Sequence, residues 1–473
     1  MPRIINPNAT PNHKNIFESL DLINELQEDH YVTINKSNSR LDKVLAYLKK
    51  VDRGFKLNIE DEHAHRYDLG DVAEVKLTSN SFEFNVEKVF INNISDSNVS
   101  GSVSNFSIGQ FKKTENNFYR LFVPLRQRTD FHFYIALFGY QTKKHRSSDC
   151  IRINYSNLDL DLYLYSDKAT NSTYVIFDVS QKLSFEKFID YCFSTIVSFG
   201  YVTGSMPQDE GYFITYDDAG RQKPKDVYYS DLRPSIKSMY SPIYANAFGL
   251  MRDRSEFKAT DKVNKTLRPL RREEFSKLCQ WAHDSLEFSS VLLLIIEATA
   301  ASLVIMPAGM SVALEGLTNL IIETNKETIS PIQDKKISKK VRAELNKVID
   351  DNSKSLQPEG IKILKTRIEN INQLTNKAKL TKPFELLKFK LSQEDLRAIE
   401  HRNDFLHGRL TLGITNDNKN ASTEIYYIAL RLYTLLAVLI LKSVGYDNKV
   451  VNYPMTQMEV YEKKFKEPFF RQV

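Results

Sequence analysis

Cysteine is scarce in this chain. Cys150, Cys192 and Cys279 are the three among 473 residues, far apart and with no CxxC pair. That argues against a disulfide framework or a structural zinc site and fits a reducing cytoplasm. Tryptophan is scarcer still: Trp281 stands alone, between Cys279 and His283 in a helical stretch, and reads as core. No Gly-rich phosphate loop, GxSxG elbow or HExxH helix occurs, so NTPase, serine-hydrolase and zincin readings have no support. Charge of one sign is also in short supply. Lys+Arg 65 against Asp+Glu 59 leaves +6, which permits a polyanionic partner without demanding one.

Unbroken apolar runs are few. The opening stretch, MPRIINPNATPNHKN, has no apolar core of the kind a signal peptide needs. Residues 291–306 (VLLLIIEATAASLVIM) carry Glu297, and residues 425–441 (IYYIALRLYTLLAVLIL) carry Arg431. A membrane span needs about 20 apolar residues, and a mid-bilayer charge costs a few kcal/mol. Both stretches are therefore expected to be buried helices of an all-α core, with no membrane partner. The remaining composition, 42% hydrophobic and 26% charged, is that of a globular protein of two or three domains.

The pattern changes character between about residues 230 and 268. Before it, Leu158, Leu160, Leu162 and Leu164 alternate with Asp159, Asp161 and Tyr163, and Phe82, Phe84 and Val86 alternate with polar neighbours, as half-buried strands do. Residues 131–138 (FHFYIALF) and 173–179 (TYVIFDV) read as denser strands, and the Ser/Asn/Gly-rich stretch 92–107 as turns. A helix capped by Ser184 is expected where Phe185, Phe188, Ile189, Cys192, Phe193 and Ile196 recur. From Arg268 onward helical segments follow one another: 269–306, 308–326, 338–350, 358–379, 392–407 and 422–443. The expected fold class is α+β. Residues 1–230 form an antiparallel, sandwich-like β domain, 231–267 a linker, 268–445 an all-α bundle and 446–473 a tail.

The informative helix is Leu391–Leu410, LSQEDLRAIEHRNDFLHGRL. Ser392 is a natural N-cap, Asp395 completes a capping box, and Gly408 marks the end. On a helical wheel Leu396, Ile399, Leu406 and Leu410 share one face. Asn403 lies within that stripe, His407 one turn further on and Arg402 at its edge. A buried amide needs a hydrogen-bond partner, and His407 is the nearest. An imidazole titrating near neutrality moves protons, and a guanidinium binds phosphate and neutralises charge developing on it. The trio suits metal-free RNA cleavage by internal 2′-hydroxyl attack. Taken by spacing alone, an Arg, Asn and His on one helix is more often an ion-pair or capping arrangement.

Arg402-Asn403-Asp404-Phe405-Leu406-His407 resembles the Arg-x4-His signature, in its RN-xxx-H form, of HEPN-domain ribonucleases. The surrounding text is similar to the ApeA-type branch of that superfamily. The likeness runs through the Asn-rich helix Ile368–Leu374, the KPFELL segment Lys382–Leu387, HRNDFLHG at His401–Gly408 and an ALE helix at Ala313-Leu314-Glu315. It covers roughly residues 270–445. The β-rich half resembles the ApeA N-terminal domain in architecture and order only.

The resemblance implies a helical HEPN domain that homodimerises into a composite endoribonuclease site. Arg402 would polarise the scissile phosphate, His407 act as general base or acid, and Asn403 orient it or touch the phosphate. Glu315 would support them from a neighbouring helix. No cofactor or metal is implied. It further implies a cytoplasmic, toxin-like role in bacterial antiphage defence, or abortive infection, with the β domain sensing an unknown phage-derived trigger. The competing expectation is a non-catalytic HEPN module for dimerisation or nucleotide binding. A toxin silenced by a separate partner is a third.

Lys335, Lys336, Lys339, Lys340 and Arg342 open a helix and offer placed positive charge for an RNA backbone, although a solvated helix face is the simpler reading. Lys143-Lys144-His145-Arg146 reads as a basic loop. His63 and His65, beside Asp61 and Glu62, lack a further His or Cys at useful spacing, so no metal is assigned to them.

Overall fold

Strands dominate up to residue 237 and helices from residue 272 onward. The structure, a computed structural model, describes residues 15–37, 39–60, 74–95, 97–125, 133–136, 138–141, 146–167, 172–244, 267–302, 305–325, 329–406, 417–456 and 467–473, a few of them by backbone only. Two units result, residues 1–289 and 290–473.

The first unit opens with α1 (Phe17–Leu26) and the strands β1 (His30–Asn35), β2 (Leu45–Lys50), β3 (Phe55–Glu60), β4 (Val75–Thr78), β5 (Glu83–Ile94) and β6 (Asn98–Ile108). These six run in the order β3-β2-β1-β4-β5-β6, and β6 returns to pair with β3, so the sheet closes into a barrel. Every ladder is antiparallel. Inward residues alternate with outward ones along each strand, and Phe55, Phe84, Phe106 and Tyr229 pack ring against ring at 4.8–5.3 Å.

The closed barrel corrects the expected sandwich. Closure depends on residues 92–107, which the composition marks as turns and which instead form the end of β5 and nearly all of β6. Their Ser and Asn residues are poor strand formers, yet Val99, Val103 and Phe106 are buried in the core between them. Three register shifts along β5–β6 supply the bending that closure needs. Gly101 sits where a Cβ would come within 2.7 Å of the Phe90 carbonyl oxygen.

The sheet continues beyond the barrel. β6 pairs through Asn105–Ile108 with β14 (Val227–Asp231). The order then runs through β13 (Glu210–Tyr216), β7 (Phe118–Leu125), β11 (Ser172–Val179), β10 (Leu158–Asp167), β9 (Arg146–Tyr155) and β8 (Phe138–Gln141). The stretch expected as a strand at 131–138 is, among its described residues, an isolated bridge from Ile135 to Leu270 before β8. Helix α2 (Phe185–Thr203) starts after Ser184, whose side chain makes no capping hydrogen bond, and runs seven residues past Ile196, closed by left-handed Gly204. Short strands β12 (Ser205–Met206) and β15 (Ile236–Lys237) pair after it.

Helix α3 (Arg272–Asp284) packs on β9 and α2. The first unit thus reaches past the 268 boundary read from composition, and residues 231–244 belong to it rather than to a linker. Trp281 stacks on Phe288 at 3.6 Å.

In the second unit, α5 (Ile305–Thr324) is the central helix. It meets α8 (Asn376–Leu386), α9 (Gln393–Leu406) and α10 (Asp417–Ser443). Gly309 and Gly316 let it lie close to Ala298 and Val291 of α4 (Leu286–Ala300). Helices α6 (Lys335–Asp351) and α7 (Pro358–Glu369) pack on each other. The tail folds back as β16 (Lys449–Val451), α11 (Tyr453–Thr456) and β17 (Phe470–Gln472), so residues 446–473 are part of this unit.

Among the described residues two helices are long and apolar enough to cross a membrane, Ile305–Thr324 and Thr423–Ser443. The second is 89% buried inside the protein, so its apolar surface is accounted for by core packing. The other stretch read as one helix, 291–306, is split between α4 and α5.

Candidate functional site

Helix α9 begins as the sequence dictates. The Ser392 backbone N–H donates to Asp395 Oδ2 at 2.9 Å, and the Asp395 N–H donates to Ser392 Oγ at 3.2 Å, a reciprocal capping box. Its buried residues are Asp395, Ala398, Ile399, Arg402 and Phe405. Ile399 of the expected stripe is among them and Leu396 is half-buried, while Asp395 and Arg402 add a carboxylate and a guanidinium to the buried face.

Arg402 is 6% exposed. Its Nη1 donates to Glu315 Oε2 at 3.0 Å, across from α9 to α5, and Glu315 keeps half of its side chain in solvent. Arg402 Nε is buried and has no hydrogen-bond partner among the described residues. A guanidinium with five donors, one carboxylate and an unspent Nε retains capacity for a second anion. Of the four site residues read from the sequence, the side chains of Arg402 and Glu315 are described, and they meet. His407 lies outside the described residues, and Asn403 is described by its α9 backbone alone.

Two turns earlier on α9, at Asp395, lies a cluster that sequence reasoning missed. Asp395 is fully buried and takes both arms of Arg471, Nη1 at 2.8 Å and Nη2 at 2.7 Å. Arg431, fully buried on α10, reaches Asp395 at 3.2 Å and Glu467 at 2.8 and 2.9 Å, and its Nη2 donates to Tyr427 at 2.7 Å. Tyr427 in turn donates to Glu394 at 3.1 Å. Burial pushes the Asp395 carboxyl up, but the Arg471 hydrogen bonds and the Arg471 and Arg431 charges hold it below its ordinary value. Burial and Arg431 act on Glu467 in the same opposed way, with the same net direction. The signal available in the sequence was Arg431 itself, since a cation in an apolar helix demands a buried carboxylate.

The basic cluster opens α6. Asp334 caps it, accepting from the Lys336 and Ile337 N–H groups, and Lys335, Lys336, Lys339 and Lys340 are exposed. His63, His65, Lys143, Lys144 and His145 lie outside the described residues. Among the described residues, no three His, Cys, Asp or Glu side chains gather as metal ligands. All three cysteines are free and buried, and burial pushes each thiol up.

The β-rich unit holds a cavity of about 540 Å³ at the C-terminal end of α2, within the range of small-ligand sites. Tyr244 forms part of its wall with Phe133 and Tyr134 at 5.5 and 5.4 Å, and Arg53, Asp209 and Lys237 bring charge to it. No family model, curated protein or solved structure matches the chain.

Proposed function

We propose that the chain is a metal-independent HEPN-type endoribonuclease of bacterial antiphage defence, acting in the cytoplasm as a homodimer. Arg402 binds the scissile phosphate and stabilises the phosphorane, His407 moves the proton of the attacking 2′-hydroxyl or of the leaving oxygen, and Asn403 orients it. Glu315 is a positioning residue that fixes the guanidinium. The observation that carries this reading is the buried, half-satisfied Arg402 held by Glu315 within the RNxxxH motif. Among the described residues Arg402 meets one carboxylate, itself half in solvent, where Arg431 meets two carboxylates and a phenol. The β-rich unit is the sensor or restraint in this reading, and its cavity supplies space for a small trigger.

The test compares wild type with Arg402→Ala and His407→Ala expressed in bacteria, with and without phage, scoring growth and total RNA on a sequencing gel. Discrete RNA ends in wild type, absent from both variants and insensitive to EDTA, are expected. Equal phage protection by the variants with no RNA cleaved would leave the helices as a scaffold.

A further inference from the structure

The outer face of the barrel at β1–β3 carries residues that the ribonuclease reading does not use. Strand register places Tyr31 opposite Tyr47, Tyr47 opposite Asn58, and Lys49 opposite Lys56. All point outward, because Val32, Leu48, Leu57 and Ile59 on the alternate positions are buried. Tyr31 is 83% exposed and Leu45, one row away, 72%. The two tyrosine rings meet at 5.0 Å and 48°. Tyr47 donates to the Asp29 carboxylate, which fixes the ring and pushes its phenol up to about 12.

Two features of this face are unfavourable for the isolated protein. Exposed Tyr31 and Leu45 keep apolar surface in water. Lys49 and Lys56 sit directly across neighbouring strands, where like charges destabilise a sheet. Lys49 approaches Asp29 at 3.9 Å, and Lys56 has no ion pair among the described residues. The charge is also concentrated. Residues 31–58 carry seven Lys and Arg against Asp42 and Asp52, and although Lys50 and Arg53 are paired with Glu210 and Asp209, Lys49 and Lys56 remain on the outer face. A polyanion with flat apolar faces removes both costs at once: phosphate between the lysines, bases on the tyrosines, and the Asn58 amide within reach of a base edge.

We propose that the outer face of β1–β3 binds single-stranded nucleic acid through Tyr31, Tyr47, Lys49 and Lys56. Single strands fit because their bases are free to stack on aromatic rings, whereas a duplex keeps its bases on one another. This inference is independent of the catalytic reading, since none of these residues belongs to it.

The test is fluorescence anisotropy on the full chain with labelled 2′-O-methyl oligouridylate of about 15 nucleotides. That probe has no 2′-hydroxyl to attack, so binding is read apart from any cleavage. A DNA strand of the same length and a duplex are the other arms. Tyr31→Ala and Tyr47→Ala are each expected to weaken binding at least about fivefold. Lys49→Gln with Lys56→Gln should lower the slope of log affinity against log salt by about 1.4, two phosphates' worth for a single strand. All four sites face solvent, and an unchanged far-UV spectrum verifies folding of the variants. DNA bound as well as the RNA analogue would place recognition in bases and phosphates alone and supports the proposal. Equal affinity for the duplex, binding unmoved by the tyrosine variants, or no binding overturns it. So does self-association abolished by Tyr31→Ala without oligonucleotide binding, which would make the face a protein contact.

Discussion

Arg431 and Asp395 are both fully buried, one on α10 and the other in the first turn of α9, and the guanidinium meets the carboxylate at 3.2 Å. Arg471 clasps the same carboxylate from the C-terminal strand, and Glu467 completes the neutralisation of Arg431. Four charges from three separate segments therefore fasten the helix bearing Arg402.

Breaking this cluster on one side should be costly. Asp395→Ala strands Arg431 and removes the Arg471 anchor, and a buried pair broken in this way costs roughly 3–5 kcal/mol. The expected result is a lower midpoint for the helical unit in far-UV thermal melts, with early proteolysis near the C-terminus. A midpoint within error of wild type would show that the cluster contributes nothing net.

The same cluster sets an acid limit. Asp395 and Glu467 titrate below their ordinary values in the folded chain, so the native state binds fewer protons than the unfolded one. Their stabilisation is complete above the unfolded values, about 3.9 for Asp and 4.3 for Glu, and is lost as pH falls through the lower folded values. The melting difference between wild type and Asp395→Asn should shrink below about pH 4. A difference constant from neutral to acid pH would contradict the assignment.

The β-rich unit has its own buried charge set. Arg120 and Arg221 are fully buried, and both reach Asp178, at 2.9 Å each. Asp178→Ala would leave two buried guanidinium groups without that carboxylate, with a loss of roughly 3–5 kcal/mol. Trp281 lies in the same unit, so its fluorescence in a denaturant titration reads the change directly.

Gly101→Val tests barrel closure. A Cβ there meets the Phe90 carbonyl and the Val89 side chain, each at 2.7 Å. Backbone on β5 must shift, and overpacking of this kind costs about 1–3 kcal/mol. The variant should melt below wild type while leaving the helical unit's own transition in place.

If the chain is the ribonuclease proposed above, Glu315→Gln separates positioning from chemistry. The amide keeps a hydrogen bond to Arg402 but loses the charge, so RNA cleavage should fall less than with Arg402→Ala. Cleavage abolished equally by both would place Glu315 among the reacting groups.

How much of this was readable in advance follows from distance along the chain. The α9 capping box was legible because Ser392 and Asp395 are three residues apart, and strand β10 because its leucines alternate locally. Arg471 is 76 residues from Asp395, and nothing in either neighbourhood announces the other. The barrel was misread for a related reason. Residues 92–107 look like turns by composition, and only pairing with β3 and β5 on either side makes them a strand. Arg402 and Glu315 were legible as residue types at telling positions, but their meeting at 3.0 Å required the packing of α5 on α9.

Strand β6 belongs to two ladders on the same edge, with β3 along Asn98–Val103 and with β14 along Asn105–Ile108. The first partner precedes it on the chain, while the second begins about 120 residues later. On a ribosome adding 5–20 residues per second, the barrel has all six of its strands roughly 6–24 s before Val227 appears. Throughout that interval the end of β6 presents unpaired peptide groups to any passing strand. Birth of this protein thus includes a vulnerable pause, and the half-strand that waits is where a nascent-chain chaperone would do the most good.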